Sequence, residues 1–409
     1  MVTKTLAFPV RDCCGLARNR GSTGVRTQPG TDTYRTRAHQ TGPMLVCEAC
    51  GREYADTATD VWRCDCGHAL DFADTPLPDT DAPPAMLDRD RGLWAFESFL
   101  PVERRVTLGE GWTPLVEAPD WNCTFKLESL FPTGSFKDRG ATATLSRAVE
   151  LGVDRVVEDS SGNAGLAIAT YAARAGIDAE IYVPADAKPG KLRAIERTGA
   201  DVVHVEGSRG DVTDACIEAV EAGSKPGWYA SHAWNPAFFA GTATFAMELA
   251  AQRDWRVPDA VVTPLGHGTL LLGAYRGFRA LEAAGWIDEL PRLLGAQATG
   301  AAPIADAFGE DAVGSAGGAE PNEVADGIQI RDPARGEQVR TALRETGGDA
   351  VAVGPDATER EHDRLARAGF HVEPTCATAT AALDVFRERG VVDSDDDVVV
   401  ALTGTGLKG

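Results

Sequence analysis

Short apolar runs alternate with longer amphipathic segments along the chain from about residue 120 onward. The apolar runs predict strands at 124–127, 155–158, 179–183, 202–205, 260–263, 293–297 and 398–402. Helices are predicted after the first five strands: one begins near Phe136, and the others cover 164–175, 191–198, 211–222 and 269–284. A glycine follows each of these last four helices, which is the usual C-terminal stop. Repeated strand–helix units predict an α/β fold with a parallel sheet covered on both faces.

Parallel sheets bind ligands at the carboxyl ends of their strands, so we expect the site in the loops that follow strands. The first unusual loop, residues 131–140, reads FPTGSFKDRG. Ser135 and Asp138 have the spacing of a capping box, which places Lys137 in the first turn of a helix. The positive end of a helix disfavours a charged amine, so we expect a lowered pKa and a nucleophilic Lys137. The alternative is an ordinary surface lysine in solvent.

Two further loops join a predicted strand to a predicted helix and are rich in small residues. Residues 160–165 read SSGNAG, and successive backbone N–H groups at a helix start would attract an anion there. Residues 264–269 read PLGHGT, whose glycines would let the backbone approach a phosphate. Neither loop has the spacing of the dinucleotide or P-loop motif, and the alternative for each is a plain tight turn.

Four of the nine cysteines form a candidate metal site. Cys47 and Cys50 form one short pair, Cys64 and Cys66 form another, and a glycine follows each pair. This spacing is typical of a zinc ribbon, in which four thiolates complete the coordination of a structural rather than catalytic metal. The alternative is four reduced thiols without a metal. A disulfide is less expected in a cytoplasmic protein, and His68 is a less favoured replacement for one cysteine.

The composition indicates a soluble globular protein and argues against several other classes. Of 409 residues, 43% are hydrophobic and 25% are charged, and no apolar stretch reaches the roughly 18 residues of a membrane helix. The first residues lack the pattern of a signal peptide, so we expect a cytoplasmic protein. The net charge of −21 argues against nucleic acid as the main partner.

The charges are distributed unevenly. The chain has 33 Arg and only 7 Lys against 61 Asp plus Glu, which predicts a halophilic protein; an ordinary acidic protein is the alternative. Residues 1–43 instead hold seven basic and two acidic residues, a net charge of +5, so the remainder carries −26. We interpret 1–43 as a disordered extension or a mistaken start. A ribbon at 44–72, a Pro- and Asp-rich linker at 73–92 and a main body at 93–409 follow.

Together these loops resemble the pyridoxal-phosphate enzymes of fold type II, the tryptophan-synthase-β fold, and within them the threonine synthase family. The matching segments are PTGSFKDRGA (132–141), SSGNAGLAIATYAARAG (160–176), PLGHGTLLLGAYRGF (264–278), ADGI (325–328), VEPTCATATAAL (372–383) and LTGTGLKG (402–409). A zinc ribbon ahead of the body also resembles some archaeal threonine synthase-like proteins. The resemblance implies two doubly wound parallel-sheet subdomains, the smaller at roughly 140–245, and pyridoxal 5′-phosphate as cofactor.

The resemblance also implies a role for each loop. Lys137 would be the catalytic residue, joined to the cofactor as an internal aldimine and then shuttling a proton. Asn163 would bond the cofactor's ring hydroxyl, and Thr403 would meet its pyridine nitrogen. Glu373 and Lys408 also match family positions, with a helix cap and a surface charge as the alternatives. The other implied contacts are with the substrate carboxylate, at Ser160, Ser161, Gly162, Asn163 and Ala164, and with the cofactor phosphate, at Gly266, His267, Gly268 and Thr269.

The implied reaction removes phosphate from O-phosphohomoserine and adds water to form threonine. Many threonine synthases carry an Arg and a Lys in a segment resembling NPxRxEGQKT, and such cations suit a phosphate. Here residues 235–244 read NPAFFAGTAT, with Phe238 and Ala243 near the places of those cations. Lys188, Lys191 or Arg193 are candidates to compensate, and an exposed helix start is the alternative for them.

That departure keeps two other hypotheses open. One is a threonine or serine dehydratase, or a β-replacement enzyme, of the same fold. The other is a non-catalytic binding protein that uses its ribbon to hold a partner. In all three cases we expect a small amino-acid ligand rather than nucleic acid or membrane, and family analogy implies a homodimer.

Overall fold

The structure, a computed structural model, describes residues 44–55, 57, 61–187, 189–222, 227–308 and 320–408. The predicted extension at 1–43 lies outside these residues, and so does Lys188. None of the helices in the described ranges is both long and apolar enough to cross a membrane.

The N-terminal part of the described chain is a small antiparallel sheet. Strand β1 (Met44–Val46) lies between β2 (Glu53–Ala55) and β3 (Asp71–Phe72). Leu45 and Leu70 are buried beside Cys47 and Cys64, which gives this sheet a core of its own. So small a core rarely stabilises a segment alone, so its attachment to the rest of the chain is important.

The small sheet is fixed to the body by one buried carboxylate. Asp71 forms ion pairs with Arg276 at 2.7 Å and with Arg335 at 2.8 Å. The second guanidinium nitrogen of Arg335 donates to the backbone oxygens of Leu70 and Trp234, both at 2.7 Å. Burial alone would raise the pKa of Asp71, but the two arginines hold that pKa well below its usual range. The carboxylate therefore stays ionised and ties β3 to the body.

The larger sheet of the body has six strands. Their spatial order is β12 (Asp349–Val353), β11 (Arg292–Ala298), β10 (Ala260–Pro264), β13 (Val398–Ala401), β5 (Cys123–Lys126) and β4 (Leu115–Ala118). All neighbours are parallel except β4, which runs antiparallel to β5 at the edge. Along β10, Val261 belongs to one hydrophobic core while Ala260 and Val262 belong to another. Both faces of the sheet are therefore covered, as the sequence predicts.

A second sheet has four parallel strands. Their order is β8 (Asp201–Val205), β7 (Asp178–Pro184), β6 (Arg155–Glu158) and β9 (Trp228–Tyr229). The carboxyl ends of β6, β7 and β8 each lead into a helix, which is the strand–helix order predicted from the sequence.

Ten helices are described around the two sheets. They are α1 (Lys137–Glu150), α2 (Asn163–Ala175), α3 (Pro189–Glu196), α4 (Arg209–Ala222), α5 (Pro236–Gln252), α6 (Thr269–Ala283), α7 (Ala305–Phe308), α8 (Gly336–Glu345), α9 (Pro355–Arg367) and α10 (Pro374–Glu388). Helix α5 packs against both α1 and α6, and it is apolar on nearly every side. An all-apolar helix has no amphipathic period, so the sequence pattern does not predict α5.

Four buried charges join β5, α1 and α5. Arg139 donates two hydrogen bonds of 2.7 Å to Glu128 and one of 3.0 Å to Glu248. Lys126 donates to the other oxygen of Glu248 at 2.7 Å and to the Thr113 hydroxyl at 2.8 Å. None of the four charged side chains is exposed to solvent. Two cations and two carboxylates balance, so the cluster is neutral as a whole.

Removing one carboxylate from this cluster should destabilise the protein strongly. We expect Glu248→Gln to lower the free energy of unfolding by roughly 3–5 kcal/mol, because Lys126 and Arg139 then remain buried without full compensation. The measurement is the denaturant midpoint. Glu282→Gln is the matched control, since Glu282 pairs with Arg279 on the surface and should leave the midpoint unchanged. Equal midpoints for both variants would contradict a structural role for the cluster.

Candidate active site

A cavity of about 530 Å³ lies where strands of both sheets end. Helix α1 enters it from β5, α6 from β10 and α2 from β6, and the segment after β13 completes the wall. The cavity gathers every residue to which the resemblance gives a cofactor or substrate contact: Lys137, Ser160, Ser161, Gly162, Asn163, Ala164, Gly266, His267, Gly268, Thr269 and Thr403. Four segments that are far apart in sequence therefore face one space.

The capping box predicted for the Lys137 loop is wrong, although Lys137 is the first residue of α1. The Asp138 carboxylate accepts hydrogen bonds from the backbone N–H and the hydroxyl of Thr133. The Ser135 hydroxyl is buried and has no partner among the described atoms. The backbone of Ser135 pairs instead with Gly404, so it is held against the C-terminal segment and not turned toward the helix.

Backbone hydrogen bonds fix the Lys137 loop to the residues after β13. The Phe136 N–H donates to the Thr403 carbonyl at 3.1 Å, and the Thr405 N–H donates to the Gly134 carbonyl at 2.9 Å. Gly134 has φ +78°, and a Cβ there would lie 2.5 Å from the Thr405 side chain. The lysine and Thr403 are therefore placed by the same pair of segments.

The amine of Lys137 has an altered acidity. Burial, and to a smaller extent the positive charge of Arg209, lower its pKa to about 8, while Glu158 and Glu373 oppose the shift. The direction agrees with the sequence-based expectation, but the main cause is burial rather than the end of the helix. Near neutral pH a useful fraction of the amine is unprotonated and nucleophilic.

Asn163 is held by charged groups on both sides of its amide. Its nitrogen donates to Glu373 at 2.9 Å, and its oxygen accepts from Lys408 at 2.6 Å. The two partners thus determine which end of the amide is the donor. Glu373 begins the turn into α10, and its carboxylate lies so close to Gly404 that a Cβ there would be 2.4 Å away. The side chain of Glu373 therefore does not cap α10, and Lys408 is not simply a surface charge, because both side chains are bonded to Asn163.

A buried acid and two histidines lie beside the lysine. His232 Nδ1 lies 2.6 Å from a Glu158 oxygen, and the His232 N–H donates to the other oxygen at 3.2 Å. Burial raises the pKa of Glu158 well above its usual value and lowers the pKa of His232 well below its usual value. Both shifts favour the uncharged forms of the carboxyl group and of the imidazole. The ring of His232 also meets that of His267 edge-on, with 5.2 Å between centroids.

The loop before α6 has the features of an anion cradle. Gly268 is the N-cap of α6 with φ +79°, and a Cβ there would lie 2.4 Å from Val339. A Cβ on Gly266 would lie 3.3 Å from Ile328. The buried Nδ1 of His267 has no hydrogen-bond partner among the described atoms. Open backbone N–H groups at a helix start, beside an unpartnered ring nitrogen, suit a bound phosphate.

Comparison with known proteins shows the family of this chain. Residues 106–404 match the family model described as pyridoxal-phosphate dependent enzyme. The chain belongs to this family. It is also similar to the threonine synthases of Methanocaldococcus jannaschii, at 33% identity over 88% of this chain and 92% of the relative, and of Methanosarcina acetivorans, at 33% identity over 89% and 92%. The resemblance inferred from the sequence is confirmed.

A solved structure supports the same fold. Maize serine racemase superposes with a TM-score of 0.59 at 22% identity, covering 72% of this chain and 88% of that one. The α/β architecture with parallel sheets, predicted from the sequence, is therefore that of known pyridoxal-phosphate enzymes.

The cavity fits the cofactor that the family name implies. The half-buried amine of Lys137 can meet an aldehyde, and the glycine-rich cradle with the unpartnered His267 nitrogen can meet a phosphate. Thr403 offers a hydroxyl that has only the weak partner Cys376, whose sulfur lies 3.5 Å away. These three features, a nucleophile, an anion cradle and a neutral hydroxyl, match the aldehyde, the phosphate and the pyridine nitrogen of pyridoxal phosphate.

The family cations missing at 238 and 243 are replaced by buried apolar groups. Phe238 and Ala243 lie in the main hydrophobic core, and neither lines the cavity. Of the candidates to compensate, Arg193 is exposed on α3 and does not line the cavity. Lys188 and the side chain of Lys191 lie outside the described part of the structure.

Two cavity residues escape the sequence analysis. His232 follows β9, a strand of only two residues, and its role depends on Glu158, 74 positions away. Arg209 begins α4 directly after β8, within SRGD, which has no glycine-rich signature. The rule that ligands bind at strand ends points to the Arg209 loop, since β8 is itself predicted.

The four cysteines of the small sheet come together. The sulfur atoms of Cys47, Cys50, Cys64 and Cys66 all lie within 4.8 Å of one another. Gly51 and Gly67, with φ of +71° and +88°, let each pair fold back on itself. His68 lies near Cys66, with Nδ1 3.4 Å from its sulfur. The spacing between sulfurs is compatible with a tetrahedral metal, for which about 3.8 Å is expected from Zn–S bonds of about 2.3 Å.

The pH dependence of amine labelling should reveal the altered lysine. In cofactor-free protein, the acetylation rate of Lys137 should rise to half its maximum near pH 8, because only the neutral amine reacts and burial favours it. Peptide mass spectrometry measures the rate. Nα-acetyl-lysine in the same tube is the control and should reach half-maximum near pH 10.4. A Lys137 midpoint equal to that of the control would contradict the environment described.

Proposed function

We propose that this chain is a threonine synthase, a lyase that converts O-phospho-L-homoserine and water to L-threonine and phosphate. The observation that carries the proposal is the similarity to threonine synthases over nearly the whole chain, combined with Lys137 at the floor of the cavity. It places the protein in amino-acid biosynthesis, with a small amino acid as its substrate.

The proposed cofactor contacts follow the walls of the cavity. Pyridoxal phosphate, when bound, supplies an electron sink for the substrate's amino carbon. Lys137 would hold its aldehyde, Asn163 its ring hydroxyl, and Thr403 its pyridine nitrogen, as a hydroxyl that leaves the nitrogen unprotonated. The phosphate would lie on the cradle of Gly266, His267, Gly268 and Thr269.

Proton movement in the proposed reaction is assigned to Lys137. An amine with a pKa of about 8 can both accept a proton from the substrate's Cα and return one, because neither form is strongly favoured near neutral pH. The substrate carboxylate would be held by the loop that starts α2, through the Ser160 and Ser161 hydroxyls and the backbone N–H groups from Gly162 to Ala164. These contacts orient the bond that breaks.

Two measurements test this function. Cofactor-loaded protein in high salt should release phosphate from O-phosphohomoserine and form equimolar threonine. Lys137→Ala should lose activity by at least about 10²-fold. It should also lose the borohydride-fixed mass adduct on the peptide containing residue 137. No phosphate and no threonine from the unaltered protein would contradict the assignment. An adduct on another peptide would contradict the role of the lysine.

One observation favours a second candidate, a threonine or serine dehydratase or a β-replacement enzyme. Phe238 and Ala243 place no cation where many threonine synthases carry one. Formation of a ketoacid from threonine or serine, without phosphate release from O-phosphohomoserine, would favour the dehydratase. O-acetylserine and O-phosphoserine in the same panel test the replacement reaction.

We also propose that the small sheet is a zinc ribbon. Four thiolates, without an open ligand position, would hold Zn²⁺ as a structural ion, and metal binding would offset the repulsion between the thiolates. Disorder in 1–43, adaptation to high salt, a cytoplasmic location and a homodimer remain predictions of the sequence.

Metal content should depend on the ribbon cysteines. We expect about one zinc per chain by elemental mass spectrometry, and we expect Cys47→Ser to lose most of it because three thiolates bind more weakly. Cys123→Ser is the matched control, since Cys123 is half-buried on β5 and outside the cluster. Unchanged zinc in Cys47→Ser would contradict the site, as would four freely titrating ribbon thiols in the unaltered protein.

A further inference from the structure

Three cationic side chains line the cavity among the described residues, namely Lys137, Lys408 and Arg209. Lys137 lies at the floor, and Lys408 donates to Asn163. Arg209 makes neither a hydrogen bond nor an ion pair with any described group. Other arginines near the body core, such as Arg139 and Arg335, each have a carboxylate partner. Asp326 and Glu373 also line the cavity, but neither forms a described ion pair with Arg209, so its guanidinium is available for a ligand.

The acidic groups around Arg209 are bonded elsewhere or neutral. Asp211, two residues along α4, accepts from the Ser208 N–H at 2.6 Å and from its hydroxyl at 2.7 Å. Asp159 accepts from Thr213 and Tyr229. Glu158 is bonded to His232, and burial raises the pKa of Glu158 well above its usual value, which favours its uncharged form. None of these three carboxyl groups therefore occupies the donors of the Arg209 guanidinium, which stay available to an anionic ligand.

Two other anionic groups are expected in the cavity, the cofactor phosphate and the substrate carboxylate, and a different loop can bind each of them. The cofactor phosphate fits the cradle before α6, and the substrate carboxylate fits the start of α2. Arg209 comes from a third place, the turn between β8 and α4. One anionic group of the proposed substrate, the phosphate on its side chain, remains without a binding group.

We propose that Arg209 is the specificity-determining residue that binds the side-chain phosphate of the substrate, in place of the cations absent at 238 and 243. This inference rests on the proposed function. A guanidinium offers two parallel N–H donors that match two phosphate oxygens. A threonine or serine substrate has no group to match it, so Arg209 selects the phosphorylated amino acid.

His232 can supply a second donor to the same anion. When the carboxyl group of Glu158 is protonated, which is the form that burial favours, it can donate to Nδ1 of His232, and the imidazole proton then lies on Nε2. His232 lines the cavity with Arg209. A neutral donor beside a fixed cation binds a phosphate without adding a further charge to repel Lys137.

The test compares Arg209→Gln with Arg193→Gln. Arg193 lies on α3, is exposed and does not line the cavity, so its variant controls for the loss of one surface charge. With O-phosphohomoserine, Arg209→Gln should raise KM by roughly 10- to 100-fold and change kcat by less than about threefold. Arg209→Lys should restore part of the affinity, and Arg193→Gln should behave as the unaltered protein.

A binding measurement without turnover separates this inference from the proposed function. The probe is the phosphonate isostere of O-phosphohomoserine, titrated calorimetrically into each cofactor-loaded protein. Its affinity should fall 10- to 100-fold in Arg209→Gln, while the affinity for L-threonine, which lacks the phosphate, should stay the same. Equal affinities for the isostere in Arg209→Gln and Arg193→Gln would overturn the role of Arg209.

Failure of the proposed function and failure of the Arg209 subsite would give different results. If the unaltered protein does not turn over O-phosphohomoserine but binds the isostere through Arg209, the proposed function fails and the anion subsite stands. If turnover occurs but KM and isostere affinity do not depend on residue 209, the function stands and the subsite is wrong. A loss of L-threonine affinity in Arg209→Gln would also overturn it, because the effect would not be specific to the phosphate.

Discussion

The cavity depends on a neutral cluster of four buried charges, Lys126, Glu128, Arg139 and Glu248. Arg139 lies two residues after Lys137, so its three hydrogen bonds to carboxylates fix the first turn of α1. Lys126 ends β5, and Glu248 belongs to α5, so the same cluster fixes that turn to the sheet and to a buried helix. Because a buried ion pair tolerates little change in geometry, the position of the Lys137 amine is largely determined by its neighbours.

Burial also determines the acidity of the titratable groups in the cavity. Burial shifts the pKa values of Glu158, His232 and Lys137 in the directions that favour their uncharged forms. Arg209 lies at the exposed edge, where a permanent charge has little desolvation cost. Titratable groups whose uncharged forms are favoured therefore lie beside Lys137, and a permanent cation lies at the exposed edge of the cavity.

Much of this site is predictable from the sequence because its main loops are local. PTGSFKDRG, SSGNAG and PLGHGT each contain consecutive residues at a strand end, and all three line the cavity. The capping box fails because Ser135 is held by a strand bridge to Gly404, a contact across most of the chain. The sequence analysis does not find His232 and Arg209 for a related reason. Their importance depends on contacts with residues far away in the sequence, and no local sequence pattern shows such contacts. Helix α5 escapes because burial on all sides removes its period.

The attachment of the small sheet has a consequence for how this family can change. The single carboxylate of Asp71 forms ion pairs with both Arg276 and Arg335, and each guanidinium also stacks on the ring of Phe239. A descendant that lost the N-terminal sheet would leave two cations without their anion against the body, one of them fully enclosed. Shortening the chain at this end should therefore destabilise the body unless those arginines are replaced as well.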